Sequence, residues 1–198
     1  MASPIERIPP ARPNTPNALH QNVFVGAQIT PYISQIIDLF LAVFKEPPYS
    51  YEGTYEEYLP FINIYAESPH GIACLLFDGN KLVGAATGAP LAQMPEKFRT
   101  PFEGRLDQIY YLGEVVLLPE YRKKSFGMQL YRTFETAIPA SFPTLCFCKI
   151  DDGSSALNQS LSSHGFTQHP DLFFDGVWRN VDDKKESSHK LIYWSKKL

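Results

Sequence analysis

The chain has 198 residues, 44% hydrophobic and 14% aromatic, with a formal net charge of −3. That length and apolar content suit one domain with a buried core, and the acidic balance excludes a globally basic nucleic-acid-binding surface. Three cysteines without paired-ligand spacing and five scattered histidines point to reduced core thiols rather than to a disulfide framework or a metal site, so a cytoplasmic protein without metal is expected.

Residues 1–20 read as an extended proline-rich arm, with prolines at 4, 9, 10, 13 and 16 and no apolar leader segment. Residues 21–198 read as a single domain. "NVFVGAQI" (22–29) is expected as a strand. Residues 30–46 carry apolar side chains at 33, 36, 37, 40, 41 and 44, a helical stripe with Thr30 as cap and Pro31 in the first turn. A loop at 47–53 precedes a second helix over 54–68, where Thr54 and Glu57 have capping-box spacing and Pro60 is the one objection. No apolar run approaches the roughly 20 residues of a membrane span, so no membrane partner is expected.

"GIACLLFDGNKLVGAATGAPL" (71–91) reads as a hairpin turning at Asp78-Gly79-Asn80. A connector (92–107) leads to a strand over 108–118 that should lie beside this hairpin in one sheet. A helix (125–138), a strand (144–151), a short helix ending at Gly165 and two strands around a charged turn complete the chain. Lys196 reads as an exposed cation of the C-terminal tail. The whole order implies an α/β (α+β layered) fold: a mixed, mostly antiparallel central sheet with helices on both faces.

The stretch "PEYRKKSFGMQL" (119–130) puts Arg122, Lys123, Lys124, Ser125 and Gly127 where a strand passes into a helix. A helix start offers free amides and partial positive charge, small residues allow close approach, and cations add attraction, so an anion could sit here. The alternative is a solvated surface turn. The stretch resembles the pyrophosphate signature Q/R-x-x-G-x-G/A of the GNAT superfamily of acyl-CoA-dependent N-acetyltransferases, with Ser125 where that family usually has glycine. The order of elements over 22–198 is similar to that family's as well.

The resemblance implies acetyl-CoA as cosubstrate and a small-molecule primary amine as acceptor. It implies backbone pairing of Val115, Val116 and Leu117 with pantetheine. It also implies a pyrophosphate turn made of Arg122, Lys123, Lys124, Ser125, Phe126, Gly127 and Met128. Glu114 is the one acidic or basic residue between Asp107 and Glu120. A carboxylate on an apolar strand has a raised pKa, so Glu114 is the candidate base, a structural acid being the alternative. The family's acid is a tyrosine whose position is held here by Leu161. Tyr110, Tyr111, Cys148 and His164 are the substitutes, and Tyr111 is paired with Glu114 as a catalytic candidate. The loop 47–58, with four tyrosines and several glutamates, lies where the resemblance implies an acceptor pocket, the favoured alternative being an amphipathic helix start with a solvated acidic face. An acyl-CoA-binding module without turnover is the competing function, and a homodimer is compatible with the proline-rich arm.

Overall fold

The computed structural model describes residues 19–47, 49–102, 104, 106–151, 153 and 155–198; the expected arm lies outside them up to residue 18. Strand β1 (Leu19–Val25) begins inside the range read as arm and stops four residues short of the expected end. It stops because Gly26 turns the chain at φ +55°, a conformation open to glycine, with its amide on the Gly71 carbonyl at 2.9 Å. Residues Gly26–Tyr32 then form a 3-10 turn that holds Pro31, and helix α1 (Ile33–Phe44) starts three residues after the expected cap Thr30. Turn and helix form a 19-residue stretch of mean hydropathy 1.3, long and apolar enough by composition to cross a bilayer, contrary to the sequence reading. Ile29, Ile36, Ile37 and Phe40 of this stretch are buried in the core.

Helix α2 (Tyr55–Glu67) has the expected capping box, with the Glu57 amide donating to Thr54 Oγ1 at 3.3 Å and the Thr54 amide to Glu57 Oε2 at 2.8 Å. Pro60 removes one intrahelical bond without ending the helix. The hairpin is β2 (Ile72–Asp78) and β3 (Lys81–Pro90). The connector carries a short helix α3 (Glu96–Arg99). Then come β4 (Ile109–Leu117), α4 (Phe126–Ala137), β5 (Thr144–Ile150), α5 (Ser155–Ser163), β6 (Thr167–Arg179) and β7 (Glu186–Lys197).

The seven strands form one sheet in the order β1-β2-β3-β4-β5-β7-β6. The hairpin lies beside β4, as expected. Every pairing is antiparallel except β4–β5. Helices α1 and α2 cover one face around Ile36, Phe40 and Ile62, and α4 covers the other with Leu130 and Phe134. The expected mixed sheet with helices on both faces is therefore present. Lys196 is corrected: its side chain is only 12% exposed, paired with Glu135, with its ammonium over Tyr131 and Phe166 at 5.3 and 5.1 Å. Alternation along β7 turns that position inward onto the α4–α5 layer.

β4 and β5 pair only over Ile109–Tyr111 and Thr144–Cys146. Past that point β5 continues along β7 while β4 continues along β3, so the middle of the sheet opens into a cleft.

Candidate active site

Side chains alternate along a strand, so residues 111 and 114 of a regular β4 would face opposite sides of the sheet. The register of β3 and β4 shifts: Thr87 lies opposite Glu114 and Gly88 opposite Leu112, leaving Gly113 as an extra residue in a β-bulge. Tyr111 and Val116 belong to the core under α1 and α2, Tyr110 and Leu112 to the core under α4. The bulge brings Glu114 onto the same side as Tyr111 and Val116. Glycine is required at 113 because a Cβ there would run into the Tyr65 hydroxyl.

Two cavities meet at this bulge. One, of about 320 Å³, lies in the cleft between β4 and β5, walled by Leu112, Val115, Met128, Tyr131, Phe147 and Leu161. The other, of about 250 Å³, lies on the α1–α2 side and is lined by Tyr58, Tyr65, Phe98, Tyr111, Phe174 and Trp178. Tyr49, Gly113, Glu114, Cys148 and Lys149 line both. A third cavity of about 190 Å³ continues along Val115, Val116 and Leu117 to Arg122, and it too is lined by Glu114.

Glu114 is part-exposed to the cavities, and among the described residues its carboxylate has neither an ion pair nor a hydrogen bond. Burial pushes its pKa up to about 8, because a charged carboxylate between apolar walls lacks hydration. Burial raises Tyr58 and Tyr65 well above the ordinary phenol range, and the nearby Glu114 carboxylate adds to both. Tyr111 is buried, and its hydroxyl is hydrogen-bonded with Cys148 Sγ at 3.1 Å. Burial raises both groups, Cys148 to about 12, so both keep their protons at neutral pH.

At the turn after β4, Lys123 and Ser125 have φ of +59° and +64°, the left-handed region. This conformation is the physical reason a glycine suits position 125. The first-turn amides of α4, at Phe126, Gly127 and Met128, precede the first intrahelical bond, from the Gln129 amide to the Ser125 carbonyl at 3.0 Å. A Cβ on Gly127 would meet only Leu117 Cδ1, at 3.5 Å. The cations divide. Arg122 donates from Nε to the Leu117 carbonyl at 3.0 Å and pairs with Glu46 at 2.9 Å, tying the turn to the end of β4. Lys124 donates to the Glu120 carbonyl at 2.9 Å. Lys123 is exposed and has no partner among the described residues. Phe126 and Met128 pack on the α4-side core, and Met128 reaches the cleft.

The loop 47–58 does line the α1–α2 cavity, with Tyr49, Tyr51 and Tyr58, while Tyr55 bonds with Ser34. Its glutamates do not. Glu52 pairs with Lys184, Glu57 closes the capping box and accepts from the Tyr51 hydroxyl, and Glu56 is exposed. The loop is clasped by the β6–β7 turn: the Val181 amide donates to the Ser50 carbonyl at 2.7 Å and the Glu52 amide to the Arg179 carbonyl at 2.8 Å. His164 donates from Nδ1 to the Ser160 carbonyl at 2.7 Å, a helix-end contact, and also borders the cleft.

Two contributors to the cavity were not read from the sequence. α3 supplies Lys97 and Phe98 from within the connector, where no periodicity signals a helix. β6 supplies Phe174 and Trp178, and there a signal exists: Leu172, Phe174, Gly176 and Trp178 alternate with exposed residues.

Residues 35–149 match the family model described as "Acetyltransferase (GNAT) family". No curated protein sequence matches the chain significantly. Among solved structures, a GNAT-family acetyltransferase from Streptococcus pneumoniae is 16% identical with a TM-score of 0.57, covering 91% of this chain and 99% of its own. One from Staphylococcus aureus Mu50 is 13% identical with a TM-score of 0.59, covering 91% and 99%. A ribosomal-protein-alanine N-acetyltransferase from Brucella melitensis is 16% identical with a TM-score of 0.57, covering 89% and 99%. At these identities the structural likeness speaks for the fold.

Proposed function

The chain belongs to the GNAT family of acetyltransferases, and from that premise we propose that it transfers an acetyl group from acetyl-CoA to the primary amine of a small molecule. The observation that carries this reading is Glu114, a carboxylate without a partner among the described residues, in the wall shared by the cleft and the α1–α2 cavity. In this reading the cleft takes the thioester arm along the open edge of β4 at Val115, Val116 and Leu117, and the α1–α2 cavity takes the amine.

The fit to the donor rests on the chain's own groups. Beyond Tyr111 the β4 edge facing β5 has no strand partner among the described residues, as backbone pairing with pantetheine requires. The amides of 123–128, two residues of which are left-handed, suit a pyrophosphate, with Lys123 and Lys124 adding charge. Arg122 acts by holding this turn against β4.

The amine nitrogen attacks the thioester carbonyl carbon, a C–N bond forms and the C–S bond breaks. The Glu114 carboxylate accepts the amine proton, and its raised pKa brings it near the operating pH of a general base. The departing thiolate takes up one proton. Tyr111 and Cys148, hydrogen-bonded to each other, are the pair proposed to supply and relay it. The second reading, acyl-CoA binding without turnover, is favoured by one observation: Leu161, at the family's acid position, presents an apolar side chain to the cleft.

Acetyl-CoA and CoA at a hundredfold excess over their Kd should raise the melting temperature, a stabilisation of about 2.7 kcal/mol. Thiol release with a small amine then supports transfer. Stabilisation without thiol release from any amine would leave the binding module.

A further inference from the structure

We propose that the acceptor is a primary amine carried on an aromatic or arylalkyl body, and that any second charge on it is negative. This deepens the transfer reading and rests on the α1–α2 cavity being the acceptor site. The cavity is walled by rings, among them Phe44, Tyr51, Tyr58, Phe98, Phe174 and Trp178. Three pairs meet edge-on, Phe98 and Phe174 at 5.0 Å and 73°, Tyr51 and Trp178 at 6.2 Å and 71°, Tyr51 and Tyr58 at 6.0 Å and 71°, while Phe44 and Tyr58 lie parallel at 6.2 Å and 7°. A cage built this way offers both edges and faces, the arrangement a guest ring prefers.

The charges in the wall decide against a polyamine. Among the described residues Glu114 is the one carboxylate lining the cavity, and Lys97 and Lys149 line it as well, Lys149 donating from Nζ to the Ile150 carbonyl at 2.8 Å. Lys97 already covers the Phe61 and Phe98 rings, its ammonium 5.4 and 5.2 Å from their centres. The cation–π positions on that side are therefore filled by the protein's own cation. A diamine with one nitrogen at Glu114 would bring its second cation toward the wall that Lys97 occupies. An aryl body fills the apolar walls, and a carboxylate on it would meet Lys97 at the exposed rim.

The test uses the full chain with saturating acetyl-CoA and thiol release as readout. The acceptors are tyramine, phenethylamine, phenylalanine, hexylamine, putrescine and spermidine. The aryl amines should exceed hexylamine and both polyamines in kcat/KM by about tenfold or more, the worth of a pair of ring contacts. Lys97→Glu should lower kcat/KM for phenylalanine and raise it for putrescine, each taken relative to phenethylamine with the same variant. Putrescine or spermidine ranking first, or hexylamine equal to phenethylamine, overturns the proposal while the transfer reading stands. Calorimetric titration of the CoA complex separates the two ideas further. Phenethylamine binding without spermidine binding supports the aromatic acceptor even if no thiol is released, in which case it is the transfer reading that falls. Titration that detects neither, or spermidine alone, overturns the inference.

Discussion

Ser125 occupies a backbone conformation that L-residues adopt at a cost, φ +64° at the mouth of α4. Relief of that strain, offset by the greater chain entropy of unfolded glycine, predicts that Ser125→Gly stabilises the protein by about 0.5–1 kcal/mol. Urea unfolding checks it, and acetyl-CoA affinity should hold or tighten. At Glu114 the expectation is kinetic. Glu114→Gln keeps the side-chain volume and leaves the pyrophosphate turn untouched, so acetyl-CoA should bind as before. Turnover should fall about a hundredfold, the usual worth of a positioned base. Wild-type kcat/KM should rise with pH through about 8 as the carboxyl ionises, and the variant should lack that limb. If KM rises and kcat holds, Glu114 binds the ammonium without moving its proton.

At the scale of elements, the turn between β4 and α4 separates structural need from ligand need. Gly127 has an ordinary φ, and an added Cβ makes only van der Waals contact with Leu117. The fold therefore tolerates a larger residue there, and helix propensity does not oppose it, since glycine is the poorer helix former. Gly127→Val should leave the melting temperature nearly unchanged and weaken acetyl-CoA about tenfold or more, since a side chain would stand between the first-turn amides and an anion. Lys185→Ala, an exposed cation beside the β6–β7 turn, is the control and should change nothing. Equal effects of the two substitutions would move the pyrophosphate elsewhere.

For the whole molecule, Glu114 couples the site to stability. Its folded pKa lies near 8, above that of an ordinary unfolded carboxyl, so the folded state binds the proton more tightly. The stabilisation this gives is fully present below the unfolded pKa and is lost as pH rises through about 8. Glutamine does not ionise. Melting curves from pH 5 to 9 should therefore show Glu114→Gln gaining on the wild type as pH rises, with most of the change complete by the upper end. A difference independent of pH would mean that the carboxylate is solvated. The same bulge that aims Glu114 into the cavities sets its carboxyl between apolar walls, so ionising it costs the folded state stability.

The sequence alone determined the layered class, the β2–β3 hairpin beside β4, the capping box at Thr54 and the cationic turn at 119–130, because each depends on periodicity or on residues within a few positions of one another. It also singled out Glu114 as the lone charge on an apolar strand. Tertiary structure decided the rest. Strand alternation assigns Tyr111 and Glu114 to opposite faces, and only the pairing of β3 with β4, slipped by one residue at Gly113, puts them on the same side. Lys196 reads as a tail cation until β7 pairs with β5 and turns it onto Glu135. Whether the glutamates of the 47–58 loop meet an acceptor or form an acidic face is open in the sequence, and the β6–β7 turn claims Glu52 and the α2 cap claims Glu57. The cavity draws its walls from α1, α2, α3, β4, β5, β6 and β7, from Phe40 to Leu191 along the chain, and no local pattern encodes which of their side chains meet.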